Sequence, residues 1–228
     1  MRFGAETARS TPCALEIRDS GDMTNRLSHA PRAGGLGLIF LGALGGLAWA
    51  AGLRGFMAEV AGVDSTVEWV STFVWVLVPG VVIGGLLGWA EQIRRTGGRR
   101  GWRWLSVSPL LFSAVLFSHG LDFGTLAEDG VGGGAIGVPV AGMVGGYALS
   151  GRGSPWGRLV CGLLALASIP IWVITAPDIG PQLSVTSARG AWMALYYWSF
   201  LAVLMLACSI PHRATIPSLE SRGASPGE

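Results

Sequence analysis

The chain has 228 residues, of which 50% are hydrophobic and 13% charged, with a formal net charge of +2 and a mean hydropathy of +0.51. Soluble domains average about 25% charged residues, so this composition argues against a soluble globular protein. It predicts an all-α integral membrane protein built as a helical bundle, because a helix satisfies its backbone hydrogen bonds within one segment.

The first 32 residues are polar, with five arginines and four acidic residues. They show no helical periodicity, and we expect residues 1–32 to form a disordered cytoplasmic tail. Met23 precedes a short basic stretch that leads into the first apolar run. Met23 is therefore an alternative translation start.

The first predicted transmembrane span covers residues 34–53. Its basic lead and the tripeptide AWA at residues 48–50 also resemble a secretory signal with an A-x-A cleavage site. A signal core has about 7–15 residues, and this run is longer, so we favour a retained helix over a cleaved one. Residues 54–67 are predicted as an outer loop in which Arg54 and Glu59 form a surface ion pair. An interfacial helix that lies flat on the bilayer, with Phe56, Met57 and Val60 on its apolar face, is the alternative.

Span two covers residues 69–90 and contains no charged residue. About 20 helical residues cross a hydrocarbon core of about 30 Å, so this run is long enough to span. Small residues at four-residue spacing let a second helix approach closely, and this span has three such glycines: Gly80, Gly84 and Gly88. A helix-packing face is the simpler interpretation, and a substrate path along it is the alternative.

The loop after span two is strongly basic. It contains Glu91 and five arginines: Arg94, Arg95, Arg99, Arg100 and Arg103. Short arginine-rich loops stay in the cytoplasm, and they favour contact with anionic lipid headgroups. A specific anionic ligand is the alternative. No nucleic-acid partner is predicted, since the nearby glycines lack the lysine and the strand–loop–helix context of a phosphate loop.

Span three is predicted at residues 104–121. His119 and Asp122 have the spacing of one helix face, and Glu128 follows shortly after. A histidine with carboxylates at the outer membrane edge can relay protons or hold a cation. The alternative is a solvated acidic loop beside a histidine at headgroup level.

Span four, residues 131–150, is unusually rich in glycine. Each glycine costs about 1 kcal/mol relative to alanine in a helix, so this span needs closely packed neighbours or a local break. Gly142 and Gly146 are its candidate packing residues.

The last two spans are predicted at residues 159–176 and 190–210, and residues 211–228 as a disordered cytoplasmic tail. Inner loops 91–103 and 151–158 together carry seven arginines and one acidic residue. This distribution predicts a transmembrane domain of about six helices at residues 33–210, with both termini in the cytoplasm.

The sequence contains no metalloprotease, nucleophile-elbow, Walker or EF-hand motif. Its cysteines, Cys13, Cys161 and Cys208, form no CxxC pair. No predicted span has a charged residue at its centre, where proton-driven carriers usually need one. We therefore predict no catalytic residue, no cofactor and no metal site, and a protein that is not an enzyme.

The segments RGFMAEVAG at 54–62 and PGVVIGGLLGWAEQIRRTGGRRGWRW at 79–104, together with the layout of residues 34–210, resemble uncharacterised multi-pass membrane proteins of actinobacteria. The resemblance implies the bacterial cytoplasmic (inner) membrane and carries no activity with it. All 16 basic residues are arginine and 36 residues are glycine, which also indicates a GC-rich, bacterial genome.

Three functions fit these observations. The first is a structural or partner-binding role, with the lipid bilayer and either a second copy or another membrane protein as partners. The second is a small-solute or ion permease with a cavity between spans two and four and an outer mouth at His119, Asp122 and Glu128. The third is a membrane-embedded enzyme in which His119 and Asp122 act as acid and base.

Overall fold

The computed structural model describes residues 34–62, 65–118 and 131–216, and every regular element in these ranges is helical. The helices are α1 (Gly35–Ala61), α2 (Trp69–Arg95), α3 (Leu110–Phe117), α4 (Val131–Leu149), α5 (Pro155–Ile179) and α6 (Ala188–Ser209). Short 3-10 turns lie at Trp102–Val107, Pro181–Leu183 and Ile210–His212. Four helices, α1, α2, α5 and α6, are long and apolar enough to cross a membrane.

Helices α1 and α2 pack antiparallel along facing glycines. Gly42 and Gly46 of α1 lie against Gly80, Gly84 and Gly88 of α2. A Cβ atom on Gly84 would overlap the carbonyl oxygen of Gly42 and would lie 2.7 Å from Gly46 Cα. At Gly42, Gly46, Gly84 and Gly88 the nearest atoms belong to the backbone of the facing helix, which is the close approach that small residues permit between membrane helices. These five residues are named the glycine seam below.

The mid-span proline of α2 stands at a change of helix type. Trp69–Leu77 is a π-helix, and the α-helical part begins at Val78. Pro79 is therefore the second residue after the π-helix, and it has no backbone N–H to donate to a carbonyl of the preceding turn. The Val78 N–H donates to the Phe73 carbonyl, five residues back.

Helix α4 packs on α6 through a second set of glycines. A Cβ on Gly142 would meet Leu204 Cδ2 at 2.5 Å, and one on Gly146 would meet Cys208 Cβ at 2.6 Å. The residue numbers rise together along both helices, so α4 and α6 run parallel. Helix α4 continues through Pro139 to Leu149, which means that close packing, and not a broken helix, accommodates its glycines.

An aromatic cluster fills the space between α1, α5 and α6. The Phe56 ring lies 5.2 to 5.9 Å from the rings of Trp172, Tyr196, Tyr197 and Phe200. Two aromatic groups also bond to backbone on another helix: Trp49 Nε1 donates to the Phe200 carbonyl and the Tyr196 hydroxyl to the Gly52 carbonyl, each at 2.8 Å. Aromatic rings and paired backbone groups thus join α1 to α6.

Helix α1 is longer than predicted. It continues from residue 53 to Ala61, so the prediction of a loop is wrong for residues 54–61. Phe56 is buried in the aromatic cluster, and this burial holds the additional two turns in the helix.

Span three is not one continuous helix in the described residues. A 3-10 turn covers Trp102–Val107, and α3 has only 8 residues, about 12 Å at 1.5 Å per residue. Pro109 is buried between them and cannot donate a backbone hydrogen bond. Of the span predicted at residues 104–121, only Leu110–Phe117 is α-helical in the described part, and residues 119–130 lie outside it.

The predicted C-terminal tail begins too early. Residues 210–212 form a 3-10 turn, Pro211 is buried, and the Ile216 N–H donates to the Arg94 carbonyl at 3.1 Å. Residues 211–216 are thus attached to α2, whereas residues 1–33 and 217–228, where both tails were predicted, lie outside the described part.

Replacing one glycine of the seam with alanine tests this packing. We expect Gly84→Ala to lower the free energy of unfolding by about 1–3 kcal/mol, because the added methyl group pushes α1 away from α2. Gly85→Ala is the matched control, since its Cβ would lie 3.8 Å from Ala43 Cβ, in ordinary contact. Thermal unfolding in detergent measures both variants, and an equal loss in the two would contradict the packing described here.

Candidate functional site at the arginine-rich end of the bundle

The described charges separate toward the two ends of the bundle. One end, named the basic end below, contains the last turns of α2, α4 and α6 and the first turn of α5. Its charged residues are Glu91, Arg94, Arg95, Arg99, Arg100, Arg103, Arg152, Arg158 and Arg213. The opposite end contains Arg54, Arg189, Glu59, Glu68 and Asp178. With eight arginines against one glutamate, the basic end has a formal charge of +7, whereas the opposite end has −1.

Glu91 organises the arginines at the end of α2. Its carboxylate accepts hydrogen bonds from Arg94 Nε at 2.7 Å, Arg94 Nη2 at 2.8 Å and Arg95 Nε at 2.7 Å. The three residues lie on one helix face at i, i+3 and i+4. The Glu91 side chain is only 14% exposed, so these charge-assisted bonds are partly shielded from water.

Arg94 also fixes the end of the described chain. Its Nη1 donates to the Ala214 carbonyl at 3.1 Å, and its own carbonyl accepts from the Ile216 N–H at 3.1 Å. These bonds hold residues 214–216 against α2, and the adjacent Arg213 lines, together with Arg95, a groove described below.

Three arginines of the loop after α2 are exposed: Arg99, Arg100 and Arg103. None of their guanidinium groups forms a hydrogen bond or ion pair with another residue in the described ranges. A planar guanidinium with unpaired donors suits bidentate contact with phosphate oxygens, so this loop can meet an anionic membrane surface.

The loop between α4 and α5 belongs to the same end. Arg158 Nε donates to the Ala148 carbonyl at 3.1 Å, and the His212 ring lies edge-on to Tyr147 with ring centroids 5.6 Å apart. Both arginine-rich loops and the segment after α6 therefore contribute to one basic surface.

A groove of about 360 Å³ lies between α1, α2 and α6. Its floor is the glycine seam, its walls include Leu38, Leu41 and Val203, and its polar lining residues are Glu91, Arg95 and Arg213 at the basic end. Its volume is within the range of about 300–1,000 Å³ that is typical of ligand pockets. The permease interpretation placed a cavity between spans two and four, whereas this groove lies between α1, α2 and α6.

The residues predicted at the outer edge are described only in part. His119, Asp122 and Glu128 lie outside the described residues. The predicted pair between Arg54 and Glu59 is wrong, because residues five apart on a helix do not share a face, and this segment is helical.

Arg54 and Glu59 instead have separate partners. Arg54 donates to the Thr66 carbonyl and, at 3.4 Å each, to Thr72 Oγ1 and Ser65 Oγ. Glu59 Oε2 lies 3.4 Å from Arg189 Nη2. Arg54 thus connects the last turns of α1 to the start of α2, and Arg189 connects α1 to α6.

Metal-ligating side chains do not gather in the described residues. Among 34–62, 65–118 and 131–216, no three His, Cys, Asp or Glu side chains are placed so that they could hold a metal ion. The described chemistry is therefore that of guanidinium groups beside an apolar groove.

Arg213 is a site residue that the sequence does not predict, because residues 211–228 have the composition of a disordered tail. A signal was present in the segment IPHRATI at 210–216, where a proline and two isoleucines offer apolar groups for packing. Ile210 indeed packs with Ala90, Ile93 and Trp102.

No protein-family model, no curated protein and no solved structure matches this chain. Any functional conclusion consequently rests on the chain's own residues.

Neutralising Glu91 tests the arginine cluster. We expect Glu91→Gln to lower the free energy of unfolding by about 1–3 kcal/mol, since charged hydrogen bonds are lost at a largely buried position. Glu59→Gln makes the same chemical change in an exposed pair, and there we expect about 0–1 kcal/mol. Unfolding in detergent measures both, and a Glu59→Gln loss as large as that of Glu91→Gln would refute this role for Glu91.

Proposed function

We propose that the chain is a six-span integral membrane protein of the bacterial cytoplasmic membrane, with a structural or partner-binding role and no catalytic one. The observation that carries this proposal is how the described bundle is filled. The glycine seam, the glycines of α4 and the aromatic cluster bring the helices into direct contact, while large apolar side chains face outward.

The outward-facing apolar surface requires a nonaqueous neighbour. On α1, Leu36 is 83% exposed and Phe40 72%, and on α5, Ile174 is 71% exposed. Apolar surfaces of this extent belong against lipid or a protein partner. The charged residues lie near the ends of the helices, as a bilayer requires.

Six crossings are supported by the helix directions. Helix α1 leaves the basic end and α2 returns to it, while α4 and α6 both run toward it and α5 runs away. The chain must therefore pass from the basic end, after Gly101, to the far end before α4 begins. Helix α4 has 19 residues, about 28 Å, which matches the hydrocarbon core. We assign the third crossing to the span predicted at residues 104–121, of which residues 119–121 lie outside the described part.

The orientation follows from the positive-inside rule. The basic end has a formal charge of +7, so it is proposed to face the cytoplasm. Gly35 lies against Gln92, and Ile216 is bonded to Arg94, at this same end. Both tails would then be cytoplasmic.

Cysteine labelling tests the number of crossings. In a variant with Cys13, Cys161 and Cys208 replaced by alanine, we expect Arg99→Cys and Arg152→Cys to react from the cytoplasmic side only. Thr186→Cys should react from the outside. Labelling of Arg99→Cys and Arg152→Cys from opposite sides would show that the third predicted span does not cross, and it would refute the six-span arrangement.

A pull-down combined with a flux assay tests the role itself. We expect the tagged protein in mild detergent to retain a stoichiometric membrane-protein partner or a second copy, identified by mass spectrometry and native mass. We also expect vesicles with wild-type protein to show no solute flux above empty vesicles. Flux that is lost in His119→Ala or Asp122→Asn at normal abundance would replace the proposed role with the permease.

A further inference from the structure

We infer that the groove between α1, α2 and α6 binds one acyl chain of an anionic phospholipid, whose phosphate is held by Arg95 and Arg213. This inference depends on the proposed placement in a membrane, but it does not depend on the structural or partner-binding role.

The dimensions of the groove fit a single leaflet. Its lining along α1 runs from Leu38 to Trp49, about 17 Å at 1.5 Å per residue. One leaflet is half of a hydrocarbon core of about 30 Å. At the end of the groove farthest from the basic end, the Trp49 N–H is already bonded to the Phe200 carbonyl. The groove therefore ends against a ring whose polar atom is satisfied.

The mouth of the groove, where Glu91, Arg95 and Arg213 lie, has guanidinium N–H donors that no hydrogen bond among the described residues uses. Both oxygens of Glu91 already accept bonds from Arg94 and Arg95. The bonds described for Arg95 and Arg213 use only Nε, to Glu91 and to Ser209 Oγ respectively. Within the described residues their Nη atoms have no acceptor, and they can therefore bind phosphate oxygens.

The charge at the mouth favours a lipid over a second copy of the chain. Among the residues that line the groove, Arg95 and Arg213 outnumber Glu91 by two to one. A second copy inserts into the membrane with the same orientation, which would bring its own basic end next to this mouth. Like charges would then repel, whereas an anionic lipid supplies the opposite charge together with an apolar chain.

Native mass spectrometry of the full chain in detergent tests the charged contact, with dioleoyl phosphatidylglycerol and dioleoyl phosphatidylcholine as probes. We expect one phosphatidylglycerol to bind at least about tenfold more tightly than phosphatidylcholine, because two guanidinium contacts to phosphate are involved. Arg95→Gln with Arg213→Gln should abolish this preference. Arg99→Gln with Arg100→Gln removes the same charge outside the groove and should preserve it.

A second pair of variants tests the groove itself. Gly45 lines the groove, and a Cβ there has nothing within 4 Å. Gly45→Leu should therefore fill the groove without disturbing the glycine seam and should reduce lipid binding about tenfold. Gly137→Leu is the control, since Gly137 has equally open space on α4 and does not line the groove. Thermal unfolding verifies that each variant is folded.

Several results would overturn the inference. Equal binding of the two lipids would show that the arginines do not hold the lipid phosphate. Unchanged lipid binding in folded Gly45→Leu would show that the acyl chain does not occupy the groove. Full competition by inorganic phosphate would indicate a free phosphate site. A change of oligomeric mass in Gly45→Leu, with lipid binding unchanged, would assign the groove to a second copy. Because the lipid-binding assay uses purified protein, it can show no lipid preference while the pull-down finds a partner. It can equally show the preference while the pull-down finds none.

Discussion

The close approach of two backbones, α1 against α2, is the constraint on which the other features depend. Lipid tails are as apolar as leucine, so membrane helices gain little from hiding apolar surface from one another and must gain from direct packing. The carbonyl oxygens of Gly42 and Gly46 occupy the space where side chains of Gly80 and Gly84 would otherwise lie. The same seam forms the floor of the groove, so removing it would change the site as well as the helix pair.

Charged residues lie toward the two ends of the molecule, and the closest helix packing lies in its middle. The aromatic cluster and the glycine contacts hold the middle, where the helices bond to one another through Trp49 and Tyr196. Ion pairs appear near the ends, at Glu91 and at Glu59. In a bilayer this division places polar groups at the headgroups and leaves helix contact as the main source of specificity.

The features of the fold that can be predicted from the sequence are those that depend on the residues of one helix alone. The four-residue spacing of glycines in α2 indicated a close neighbour, and the structure places α1 there. Helix α1 was predicted to end at residue 53, because the burial of Phe56 depends on Trp172 and Phe200, which are more than a hundred residues away. Arg213 was missed for the same kind of reason, since the contacts that fix its segment come from Arg94. Only the assembled bundle reveals such long-range contacts.

The hydrogen bonds from α6 to α1 have a consequence for the order of assembly. The Gly42–Gly84 contact joins neighbouring helices, whereas Tyr196 bonds to Gly52 across 144 residues and Trp49 to Phe200 across 151. Chains are synthesised from the N-terminus, so the first hairpin can close while the last helix is still in the ribosome. Until α6 is synthesised, the Trp49 N–H and the Gly52 carbonyl lack the partners that they have in the complete bundle. The last helix to be made therefore supplies hydrogen bonds that hold the first one in place.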